Sequence, residues 1–343
     1  MIKKENLQLS RFLFVMCCLI VAIHCQIVYM VNVQSSVVNR FINGAIRYSL
    51  TDMAVSGFYI VSGFLLFRKF KLENYAGILK KKVKTLFIPY ILWNIIGMIY
   101  VFLITKVSFL QQYAQREEVV FSFSGVCRGI FLYAYNEEFW YIFFLIIFVI
   151  VSPIFYIFMK KKEGIILITF ILIVYYIVVD EPIVQGYGVM SFWIGAVIGK
   201  IKPDFWNDHD IKITNKWIYY LMIGMLIIVR HLFFLNFDSN IINLIRYFVG
   251  VYLLWNIWQV CAADKEYTVR QSSIFHFRFF IYAMHWYVVS LVQKVLAKIP
   301  VNNWTLMLLY FGACTVTIMI TWGIGLLWKR CLPRCYNVFT GAR

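Results

Sequence analysis

Charge is what this chain has least of. Asp, Glu, Lys and Arg make up 14% of its 343 residues, against 62% hydrophobic. So few polar groups cannot cover that much apolar surface in water, which excludes a soluble domain. There is no Pro/Gly/Ser-rich linker, no break in composition, no internal repeat and no low-complexity tract, so one membrane-embedded domain over 1–343 is expected. Of the eight cysteines, Cys331 and Cys335 have no second pair to match them. Buried, reduced thiols are therefore expected rather than a metal site. The first apolar stretch lacks a small-x-small cleavage site and is too long for a signal-peptide core, so it is expected to stay attached.

What the chain does have is apolar runs. Ten can be drawn, at 8–31, 50–67, 86–106, 139–159, 164–180, 187–201, 217–237, 239–261, 276–297 and 304–328. The fold class expected is all-α: a polytopic integral membrane protein of about ten transmembrane helices. An even count puts both termini on one side. The formal net charge of +17 suggests nucleic acid until the basic residues are placed, for 24 of the 33 Lys and Arg then fall in cytoplasmic segments. That bias predicts cytoplasmic termini in a multi-pass inner (plasma) membrane protein, and requires no nucleic acid.

The run from Leu7 to Val31 carries His24 where a span should carry no ionisable group. Buried at that depth, an imidazole needs a wet cavity or a partner. Arg11 lies near the start of the same run, roughly 20 Å from His24 along a helix axis. Ser62 and Gly63 are small residues within FYIVSGFLLF, and let a second helix or a ligand approach closely. Between Arg68 and Lys84 lies the most basic segment, either an anchor on anionic membrane lipid or a ledge for phosphates. Pro89 sits near a helix start in FIPYILWN.

These stretches together resemble the membrane acyltransferase 3 family: a first-helix Arg and His, SGFLLF, a basic loop and IPYILW. FWYIFFLIIFVIVSP (139–153), FWIGAVIGK (192–200) and IYAMHWYVV (281–289) resemble its later spans in the family's order. The resemblance covers essentially the whole chain. It implies transfer of an acyl group, usually acetyl, from cytoplasmic acyl-CoA (acetyl-CoA) to a hydroxyl of a cell-surface or lipid-linked glycan, with no metal. His24 carries over as the catalytic base and Arg11 as a donor-binding residue. Lys81 and Lys84 stand where the family has an arginine pair, and hold phosphate as point charges without the bidentate fork. The family commonly places about ten residues between its Arg and His, which puts both on one helix face. Here twelve intervene. A regular helix then turns Arg11 roughly 140° from His24, placing it at the cytoplasmic rim.

Further candidates follow along the chain. Glu137 and Glu138 precede Trp140 at the outer mouth of a span, and Trp140 is a candidate acceptor contact. Arg246 lies deep in the eighth run, as an acceptor or carboxylate contact or a structural hydrogen bond. His285 is the second intramembrane histidine, as packing or as part of the acceptor or CoA cavity. Arg230 and His231 lie close to an outer boundary, and Asp180 and Glu181 are read as a turn. The chemistry needs a base for the hydroxyl proton, which histidine suits, and donors for the oxyanion, for which Ser62 and the Gly63 backbone are candidates. Two other classes stay open: a transporter or flippase of a glycan or lipid-linked intermediate, and a scaffold without catalysis. The first would often show Gly/Pro-broken half-helices in paired repeats, which the sequence lacks.

Overall fold

The structure, a computed structural model, describes residues 4–25, 37–42, 46, 51, 53–107, 118–179, 186–206, 217–218, 220–225, 240–262 and 274–342. Asp180, Glu181, His209, Arg230 and His231 lie outside the described residues. The chain is all-helical, with no strand among the described residues. In chain order the main helices are α1 (Lys4–His24), α2 (Met53–Phe67), α3 (Leu72–Lys106), α4 (Phe123–Phe131), α5 (Glu137–Phe158) and α6 (Lys162–Val178). There follow α7 (Gly186–Ile201), α8 (Asn240–Ala262), α9 (Ile274–Leu296), α10 (Asn303–Cys331) and α11 (Pro333–Thr340). Among them α3, α5, α9 and α10 are long and apolar enough to cross a membrane. Leu9–His24 of α1, α2 and α7 are shorter apolar helices. The expected run 217–237 is described only at its start.

The described residues pack as two compact units, 1–70 with 157–324, and 71–156 with 325–343. In the first, α2 and α7 meet backbone to backbone. A Cβ on Gly63 would run into the Phe192 carbonyl oxygen, one on Gly195 into that of Ile60, and one on Gly199 into that of Phe64. Small residues are what allow helices to associate where burial from water provides no drive. At one end of this unit Phe12, Phe64, Trp206 and Trp255 stack edge to face, with ring centroids of Trp206 and Trp255 4.4 Å apart.

In the second unit the basic segment is helical from Leu72 on, where a loop was expected. Its Leu, Ala and Lys residues are good helix formers. A π turn at Val83–Phe87 then carries α3 into its apolar part. Pro89 has no N–H to give the Thr85 carbonyl four residues back. The backbone of Gly341, left-handed at φ 64°, packs against that carbonyl as it caps α11. Trp93 Nε1 donates to the Phe339 carbonyl at 3.0 Å, fastening α11 along α3. Buried Asn136 donates to the Trp93 carbonyl, and Asn94 to that of Ile130, so polar groups also tie down the turn before α5. Within α5, Pro153 removes the N–H owed to Val149, and the Ser152 hydroxyl donates to that carbonyl instead at 2.8 Å.

Candidate functional site

The first helix ends at the histidine. The apolar run was expected to stay helical to Val31, but α1 stops at His24, and Cys25 is already non-helical. Two side chains from later helices bond the backbone at this end. Gln293 Nε2 of α9 donates to the His24 carbonyl at 2.6 Å, and the Tyr310 hydroxyl of α10 donates to that of Ala22 at 3.0 Å. The histidine thus sits on a turn of α1 that α9 and α10 both hold.

α1 and α9 run side by side in the same direction. Arg278 Nη1 donates to Ser10 Oγ at 2.7 Å near their beginnings, and the Cys17 thiol donates to the Arg278 carbonyl. Further along, the His24 and His285 rings meet with centroids 5.1 Å apart, and Trp286 stands edge-on to His24 at 5.6 Å. His24 is half-buried, whereas His285 is fully buried. His285 Nδ1 bonds the Tyr282 carbonyl oxygen, which can only accept, so Nδ1 carries the hydrogen. In the neutral ring Nε2 is then a bare acceptor, and it has no hydrogen-bond partner among the described residues. Chemically this is a basic nitrogen beside a second imidazole, held between apolar helices.

The other expected residues are placed as follows. Arg11 is buried at the far end of α1, its guanidinium carbon 5.7 Å from the Phe275 ring centroid. Thirteen residues of regular helix put it roughly 20 Å along the axis from His24. Ser62 is half-buried on α2, and Gly63 lies in the α2–α7 seam. Contact with α7 accounts for that glycine, and mid-helix N–H groups already spent on the ladder are not oxyanion donors. Arg246 is buried on α8, its guanidinium 4.9 Å from the Tyr247 ring centroid, which in turn packs on Tyr187. Lys81 and Lys84 are exposed on α3, and Trp140 is half-buried at the start of α5 against Phe144. These three belong to the second unit.

Sequence reasoning missed Gln293, Tyr310 and the Arg278–Ser10 bond. The signal for Gln293 was there: an amide in the apolar run VVSLVQKVL, two turns beyond His285. Tyr310 gave no such sign, since a tyrosine in a span passes for packing.

Two imidazoles in contact between apolar helices define a membrane protein built around a polar site. The chain belongs to the acyltransferase 3 family, whose acyltransferase domain matches residues 14–326. No curated protein and no solved structure matches it. Membership makes it a membrane acyltransferase, with an acyl donor and an acceptor to bring together.

Proposed function

We propose that this protein transfers an acyl group, acetyl in the first instance, from cytoplasmic acyl-CoA to a hydroxyl of a cell-surface glycan or related acceptor. The observation that carries this is the His24–His285 pair at the end of α1. His24 removes the hydroxyl proton as the oxygen attacks the thioester carbonyl carbon. The carbon–sulfur bond then breaks, the ester forms, and the thiolate takes the proton from the His24 imidazolium. Between those steps the positive ring sits at the negative end of the α1 dipole. His285 Nε2, a free acceptor beside the His24 ring, would take a bond from the His24 ring N–H once substrate brings the rings together, leaving the opposite His24 nitrogen unprotonated for the acceptor. This is the base-and-orienter logic of hydrolytic triads.

The remaining assignments follow the length of the donor. Arg11 at one end of α1 and His24 at the other are separated by a span suited to an extended pantetheine arm, with phosphates toward Arg11. Ser62 lies on the donor path, while Arg246 contacts the acceptor. With donor inside and acceptor outside, the protein sits in the inner (plasma) membrane as a multi-pass chain with cytoplasmic termini, as the basic residues suggest. The test is purified full-length protein incubated with acetyl-labelled CoA and surface glycan. Label should pass to glycan, and His24→Ala should abolish transfer while inserting normally. Glycan binding without thioester turnover would instead indicate a transporter.

A further inference from the structure

The second unit holds a groove of about 300 Å³ between α3 and α5, large enough for a discrete ligand rather than a single water. From Leu79 on α3 the lining positions fall at i, i+3, i+4, i+7 and i+8, one face of the helix, and α5 closes the other side from Ile146 to Ile150. Every lining side chain is apolar except Lys82. The wall backbone is apolar in effect too. Ser152 Oγ occupies the Val149 carbonyl, and the Tyr75 hydroxyl donates to that of Ile150 at 2.6 Å. Val83 and Ile150 are about half exposed, so the groove opens outward rather than being sealed. Around Lys82, Lys80, Lys81 and Lys84 are exposed, and Glu73 is the single carboxylate in the 35 residues of α3.

We propose that this groove binds an anionic phospholipid, with an acyl chain between α3 and α5 and the phosphate on Lys82. An apolar trough with one half-buried lysine, Lys82, near its Leu79 end matches a molecule whose charge sits at the head of a hydrocarbon chain. Lys81 and Lys84 lie on a different face of α3 and contribute field rather than contact. The proposal does not depend on the acyl-transfer reading.

Native mass spectrometry of the full-length protein, titrated with phosphatidylglycerol or phosphatidylcholine of matched chains, tests it. Phosphatidylglycerol should bind about fivefold more tightly through the Lys82 contact, and Lys82→Gln should remove that preference while Lys82→Arg keeps it. Val83→Trp, which fills the trough, should weaken both lipids alike; if it fails to fold, Val83→Phe replaces it. Equal binding of the two lipids by the wild type, or an unchanged preference in Lys82→Gln, overturns the proposal. So does displacement of phosphatidylglycerol by equimolar inorganic phosphate or by CoA, which would mark a free-phosphate site.

Discussion

Replacing Gly195 with alanine tests the seam that holds the first unit together. A Cβ there would stand 2.8 Å from Ile60 Cα, and closer still to the Ile60 carbonyl oxygen, where ordinary contact begins at about 3.4 Å. Both obstacles are helix backbone, so no side chain can swing aside and α2 must move away from α7. Overpacking of this kind costs about 1–3 kcal/mol. At about 2–4 °C per kcal/mol for a unit this size, melting should fall by several degrees. The assay is tryptophan fluorescence of the detergent-solubilised chain at a fixed scan rate, because unfolding of such a protein is under kinetic control. Gly63→Ala should behave alike, since its Cβ would meet the Ala196 nitrogen at 2.9 Å. The double variant should lose less than the sum, because helices already parted have room for the second methyl. An unchanged melting temperature in Gly195→Ala would refute the seam. Gly63→Ala that melts normally but raises the donor KM would put a ligand, not α7, against that glycine.

His24→Ala should lower transfer by about 10²–10⁴-fold, the usual contribution of a positioned base, with membrane insertion unchanged by protease protection. His285→Ala should cost about 10²-fold in kcat with little change in donor KM, as expected for a residue that aims another; a KM effect alone would assign it to binding. Gln293→Leu removes the bond to the His24 carbonyl at a cost of about 0.5–1.5 kcal/mol, so both melting and kcat should fall. Outside the spans, burial holds the Tyr336 phenol above its ordinary pKa of about 10. The unfolded chain therefore ionises first, and the stability tied to Tyr336 is intact below pH 10 and lost as pH rises beyond it. In a melting series toward high pH, Tyr336→Phe should flatten that loss relative to the wild type; parallel curves would refute it.

The sequence made His24 legible because an imidazole in an apolar run stands out whatever the fold. The lack of charge likewise announced a helical membrane protein. It could not show that α1 stops at His24, since an apolar run continues beyond it, nor that Gln293 and Tyr310 bond this end from far along the chain. Nor could it pair His24 with His285, which needs the parallel crossing of α1 and α9. Gly63 read by itself as a packing residue and became a ligand candidate only through the resemblance, and the Phe192 carbonyl behind it shows what stands against it. The basic segment was legible as charge, but not as helix. Nothing in KKKVK separates Lys82, facing the groove, from Lys81 and Lys84, facing away.

The parallel crossing of α1 and α9 also sets an order of events during synthesis. His285 leaves the ribosome 261 residues after His24. At roughly 5–20 residues per second that is a delay of tens of seconds. Through that interval the first histidine lacks its mate, so on the proposed mechanism a chain ended before α9 should be inert, and activity should begin only once α9 docks.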